Sequence, residues 1–177
     1  KEFDASSKSF RLDVLKPELW MPSGHGIQNL YRTKISLINA EGTEEDSRSL
    51  TCGFRVVSWE KCVNAPKNAD PWICCVNGKK IFLQGFNWTP IRANFADVTR
   101  EETLKLLQTY KEMGTNILRV WGGAVLEKES FYEDCDRLGL MVLQEFPLSS
   151  SGLDNWPPED EYSIKLFTET AATYVCR

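Results

Sequence analysis

The sequence predicts a mixed fold, with an antiparallel β part over residues 1–60 followed by alternating strands and helices over residues 61–177. Three observations point that way. Strand-like alternation of polar and apolar residues recurs between turn signals in the first part. A polar, turn-rich break follows (KCVNAPKNADP, residues 61–71). Beyond it, apolar strand segments alternate with helix patterns that carry their own start and stop residues.

The elements follow in order. Ser9 to Val14 alternates polar and apolar, Tyr31 to Ile38 alternates again after a loop rich in Pro, Ser and Gly, and Arg48 to Trp59 is a third strand pattern broken at Gly53. Together they read as the last part of an antiparallel sandwich, with further strands expected before Lys1. The acidic run Glu41 to Asp46 reads as a solvated hairpin tip, and His25 as a surface turn residue.

Past the break, Asn77-Gly78 between Ile73–Val76 and Lys80–Gln84 is a hairpin signal for a type I′ turn. The second arm runs on into Gly85-Phe86-Asn87-Trp88. Thr99 and Glu102 form a capping box, opening a helix with Leu104, Leu107 and Met113 on one side and a stop at Gly114. Asn116 to Trp121 is the next strand. Glu127 to Leu138 is a second helix with Phe131, Cys135 and Leu138 on one face and a stop at Gly139. Leu140 to Phe146 is a nearly continuous apolar strand of the kind helices cover. Ile164 to Val175 is a third helix, with Ile164, Phe167, Ala171 and Tyr174 or Val175 on one face. Such an alternation fits an open doubly wound sheet or a closed barrel.

Composition narrows the function classes. With 42% hydrophobic, 11% aromatic and 26% charged residues in 177, the chain has material for a packed core. Lys plus Arg is 21 against 25 Asp plus Glu, a net charge of -4. No basic stripe is present, so no nucleic-acid partner is expected. No apolar run approaches the ~20 residues of a membrane span, so no membrane partner is expected either. Residues 1–20 carry no leader pattern, and the chain reads as starting in mid-domain. The six cysteines include no C-x-x-C pair, and His25 is the lone histidine. No metal site is therefore expected, and the cysteines read as small buried hydrophobes rather than a disulfide framework. The glycine-rich dinucleotide fingerprint is missing after the first strand of the second part, which speaks against a nucleotide-binding sheet.

Polar and aromatic residues gather just past strand ends: Asn87 and Trp88, then Arg119 and Trp121-Gly122-Gly123, then Gln144 and Glu145. That is where a (β/α)8 barrel places its active site, although such a barrel needs about 250 residues and three of its eight units are present here.

The segments LWMPSGHGIQNLY (19–31), CGFRVVSW (52–59), VNGKKIFLQGFNWTPI (76–91), NILRVWGGAVLEKESFYEDCDRLGL (116–140) and VLQEFPLSSSGLDNWPPED (142–160) resemble glycoside hydrolase family 2, most closely its β-mannosidase branch. The resemblance covers nearly the whole chain. It implies that residues 1–60 finish an immunoglobulin-like β-sandwich and that residues 61–177 open a TIM-barrel catalytic domain. Retaining enzymes of this kind use two carboxylates about 5–5.5 Å apart, one nucleophile and one acid/base. In the family these stand at the fourth and seventh barrel strands, which this sequence does not reach. The chain alone is therefore expected to be inactive, and other chains or segments are expected to complete the barrel around a glycoside or oligosaccharide substrate. No cofactor is implied.

Each candidate has a plainer alternative. Arg119 interrupts an apolar strand and needs a carboxylate partner. The resemblance implies that it orients the nucleophile, and the alternative is a structural ion pair. Glu145 ends an apolar strand, where burial would raise its pKa. With no matching carboxylate at a neighbouring strand end, it reads as a subsite or supporting residue, or as a helix-cap or salt-bridge partner. Trp88, Trp121 and Trp156 offer faces for pyranose rings, or simply fill a barrel mouth. Asn87 could bond a sugar hydroxyl or cap the backbone. From a different class, the chain reads as a non-catalytic carbohydrate-binding or interaction module that keeps these tryptophans and lacks hydrolysis.

Overall fold

A computed structural model describes residues 11–123, 126–148 and 159–175. Strands β1 (Tyr31–Ile38) and β2 (Glu44–Cys52) form an antiparallel hairpin. Strands β3 (Val57–Glu60), β4 (Ile73–Val76) and β5 (Lys79–Ile81) form a second antiparallel sheet in that order. Strands β6 (Gly85–Trp88), β7 (Ile117–Val120) and β8 (Met141–Gln144) form a parallel sheet in sequence order. Helix α1 (Arg100–Glu112) connects β6 to β7, helix α2 (Glu129–Leu138) connects β7 to β8, and helix α3 (Glu161–Val175) follows.

Local chemistry explains the boundaries. Thr99 accepts a hydrogen bond from the backbone N–H of Glu102, whose carboxylate accepts from the backbone N–H of Thr99, so the capping box starts α1 as expected. Gly114 and Gly139 end α1 and α2 at φ +85° and +83°, where a Cβ would be strained. Asn77 and Gly78 both have positive φ, at 53° and 76°, as a type I′ turn requires.

The parallel sheet has two distinct faces. The register pairs Phe86 with Leu118 and Val142, and Trp88 with Val120 and Gln144, while Asn87, Arg119 and Leu143 share the opposite face. On the helix side, Trp88, Leu118, Val120, Leu107, Phe131, Cys135 and Leu140 form one buried core. Burying a side chain such as Leu107 or Phe131 contributes about 1.5–3 kcal/mol. Ionic contacts fasten the helices above it: Arg100 reaches both carboxylate oxygens of buried Asp134 at 3.0 and 2.6 Å, and Arg137 adds a third contact at 3.2 Å. On the other face, the starts of β7 and β8 (Ile117 and Met141) pack against Trp20, Cys74, Val76, Ile81 and Leu83. The β4–β5 hairpin thus closes one end of that face and leaves the strand C-termini open. Trp20 also joins the N-terminal part to α2, its indole N–H donating to the Asp136 carbonyl at 2.8 Å.

Several expectations need correction. The strand pattern at Ser9–Val14 does not form over its described part, since residues 11–14 are irregular. Arg48–Trp59 is two strands, β2 and β3, interrupted at Gly53, where the Trp20 side chain lies 3.1 Å from where a Cβ would be. Met113 is 56% exposed, being the C-cap of α1 rather than part of its buried face. The last parallel strand is shorter than Leu140–Phe146, and Leu143 is 54% exposed because it lies on the face without helices. Ile164 is likewise exposed on α3, although Phe167 and Tyr174 meet Phe146 at ring-centroid distances of 6.4 and 5.8 Å. Of the described cysteines, all free thiols, Cys74, Cys75 and Cys135 are buried as expected, but Cys62 is exposed.

Candidate functional site

Three side chains from the three parallel strands meet at the open end of the sheet. Arg119, on β7, donates from Nε to Glu145 Oε1 at 2.7 Å and from a terminal nitrogen to the same oxygen at 2.5 Å. Its other terminal nitrogen donates to Asn87 Oδ1, on β6, at 3.0 Å. Glu145, just past β8, accepts the backbone N–H of Gly122 at its second oxygen at 2.8 Å. The period of two explains the convergence: Asn87 and Arg119 are register partners on the face without helices, and Glu145 follows two residues after Leu143 on that face.

The electrostatics run opposite to the sequence expectation for Glu145. Burial pushes its pKa up, but the Gly122 N–H, and then the Arg119 guanidinium, outweigh it and hold the carboxyl below its ordinary value. The group is therefore an ionised acceptor, suited to holding Arg119 and a hydroxyl rather than to donating a proton. Asn87 accepts at Oδ1, which leaves its amide nitrogen as a donor. The cluster thus presents both a donor and acceptors of the kind hydroxyl groups pair with. Among the described residues, no group of His, Cys, Asp or Glu is arranged to hold a metal ion.

The loop after β7 is built tightly onto this cluster. A Cβ at Gly122 would lie 2.8 Å from the Phe146 carbonyl and 3.1 Å from Glu145 Oε2, so glycine is what lets the Gly122 N–H approach the carboxylate. A Cβ at Gly123 would fall 2.2 Å from the Trp121 ring. Trp121 is half-buried against the helix-side core.

Trp88 is placed differently from its neighbour Asn87. It is 2% exposed, stacked in the core with Phe131 at 4.8 Å, and its indole N–H donates to Glu127 Oε1 at 3.0 Å. Its ring therefore supports the site from behind and presents no stacking face. Trp156 lies outside the described residues. Sequence reasoning missed the Gly122 N–H, Glu127, Lys128 and Tyr132. The sequence reading begins the second helix at Glu127, whereas α2 begins at Glu129 with Lys128 as its N-cap, so no local signal marked these residues.

Comparison with known proteins defines the class. Residues 1–55 match the family described as Glycosyl hydrolases family 2. The chain belongs to glycoside hydrolase family 2. Within it, the similarity runs to proteins named as β-mannosidases. Identity is 30% over 169 residues with beta-mannosidase B of Emericella nidulans, covering 92% of this chain and 20% of that one. It is 37% over 137 residues with beta-mannosidase of Rattus norvegicus, covering 76% and 15%. The crystal structure of a beta-D-mannosidase from Dictyoglomus thermophilum superimposes with a TM-score of 0.77 at 32% identity, covering 90% of this chain and 19% of that one. The chain thus spans about a fifth or less of the length of these relatives.

Proposed function

We propose that this chain is a segment of a retaining, β-mannosidase-like hydrolase that removes terminal β-linked sugars from oligosaccharides or glycoconjugates. Residues 1–60 carry the end of an immunoglobulin-like sandwich, and residues 61–177 carry the β4–β5 hairpin, paired with β3 across this boundary, and the first three β/α units of the catalytic barrel. The observation that carries the reading is the Asn87–Arg119–Glu145 cluster at the C-terminal ends of three successive parallel strands, where barrel enzymes bind substrate. The exposed apolar residues of the β1–β2 hairpin, Ile35, Leu37 and Leu50, support the sandwich assignment, because a lone two-stranded hairpin is marginal in water.

In this reading Arg119 faces the place where a nucleophilic carboxylate from a later strand would stand, and keeps it ionised and oriented. Asn87 and Glu145 contact sugar hydroxyls, and Trp121 borders the ring. The two catalytic glutamates belong to segments beyond residue 177, and no cofactor takes part. Residues 1–177 alone are inactive.

The test is hydrolysis of aryl β-mannoside by the full-length polypeptide carrying this sequence, beside Arg119→Ala and the isolated 177-residue chain. Turnover by the full-length protein, lost in Arg119→Ala and absent from the isolated chain, supports the reading. Binding of glycans without turnover would replace it with the non-catalytic module.

A further inference from the structure

The loop leading into α2 carries two consecutive side chains that reach different neighbours. Glu127 accepts the Trp88 indole N–H at the end of β6. Lys128 Nζ donates to the carbonyls of Ala96 and Val98, at 2.8 and 2.7 Å, in the loop between β6 and α1. Those carbonyls belong to a 3₁₀ turn, Phe95–Asp97, and its exit residue. Carbonyls at the end of a helical turn lack partners further along the chain, and a cation is their natural complement. Lys128 is also the N-cap of α2, with extended backbone and no side-chain cap bond, so the position carries this contact in place of a cap.

The connection continues on the far side. The Glu127 N–H donates to the Tyr132 hydroxyl oxygen at 3.3 Å, and that hydroxyl donates to Gln144 Oε1 at 2.7 Å. Gln144 Nε2 donates to the carbonyl of Glu145 at 2.9 Å. An unbroken set of contacts therefore runs from the β6–α1 loop, through Glu127 and Lys128, to the backbone of the residue that holds Arg119.

We infer that Glu127 and Lys128 are positioning residues: they fasten the β6–α1 loop to the β7–α2 loop, so that both keep a fixed register around Asn87, Arg119 and Glu145 when a sugar binds. The inference rests on the glycosidase reading above. Neither residue touches the cluster itself, so the effect on a ligand passes through loop placement.

The experiment compares Lys128→Met, which keeps the apolar stem and removes the donor, with Lys128→Arg, which keeps a donor, in the full-length polypeptide. Two quantities are read: hydrogen exchange of residues 89–98, and kinetics on aryl β-mannoside. Lys128→Met is expected to speed exchange in 89–98 while α3 stays unchanged. It should also lower kcat/KM roughly tenfold, chiefly through KM, with Lys128→Arg restoring both. Unchanged exchange overturns the fastening. Faster exchange with unaltered kcat/KM overturns the positioning role. A wild-type protein that turns over no β-glycoside overturns the glycosidase reading instead, and the exchange comparison still decides the fastening.

Discussion

Arg119 and Glu145 form an ion pair at 2.7 Å that joins the end of β7 to the residue following β8. The pair is what turns three strand ends into one cluster, because Arg119 also holds Asn87 and Glu145 also holds the Gly122 N–H. Both partners are open to solvent, at 38% and 37% exposure, so the pair positions groups more than it stabilises the fold.

Its pH dependence follows from the Glu145 carboxyl, held below its ordinary 4.5 by Gly122 and Arg119. A depressed carboxylate adds stability that is fully present above its unfolded value and is lost as pH falls through the lower folded value. Glu145→Gln is therefore expected to melt slightly below wild type at neutral pH, the gap closing as pH falls below the ordinary carboxylate value of 4.5. Melting temperatures of both proteins across that range check it, and a gap constant with pH would contradict the assignment.

The Arg100–Asp134–Arg137 contacts should show an asymmetry. Asp134 has a side chain 3% exposed, whereas Arg100 and Arg137 are 46% and 55% exposed. Asp134→Ala leaves two solvent-exposed arginines that keep Glu133 as a partner and is expected to cost about 1–2 kcal/mol. Arg100→Met with Arg137→Met strands a buried carboxylate and is expected to cost about 3–5 kcal/mol. Urea unfolding of the two variants separates these outcomes.

Gly85 tests the sheet itself. A Cβ there would fall 1.6 Å from the Ile117 carbonyl, a backbone atom that cannot move without parting β6 from β7. Gly85→Ala is expected to cost about 3 kcal/mol or more, read as a lowered denaturant midpoint.

Thiol labelling reads the packing directly. Burial raises the pKa of Cys74, Cys75 and Cys135, while Cys62 is exposed. At about pH 8, iodoacetamide should modify Cys62 first and spare the three buried thiols until the protein unfolds. Peptide mapping shows which react.

What could be read from the sequence was what short-range chemistry decides. The Thr99–Glu102 capping box, the Asn77-Gly78 turn and the stops at Gly114 and Gly139 each depend on a few adjacent residues, and each appears as expected. The family resemblance likewise matches the relatives found. Asn87 and Trp88, each read as a candidate sugar contact, lie on opposite faces because adjacent strand residues do, and Trp88 takes its core-filling alternative on the helix side. The depressed Glu145 carboxyl was not legible, because it depends on the Gly122 N–H arriving from 23 residues away in sequence. The β4–β5 hairpin was legible from Asn77-Gly78, but its place beneath the sheet was not, since its contacts with Trp20, Ile117 and Met141 are long-range.

The central claim is that the Asn87–Arg119–Glu145 cluster belongs to a retaining β-mannosidase-like active site. The most direct measurement is the anomeric form of the first sugar released when the full-length polypeptide carrying this sequence cleaves aryl β-mannoside, followed by proton NMR before mutarotation. A retaining site releases β-mannose first. α-Mannose appearing first, or no release at all, would contradict the claim.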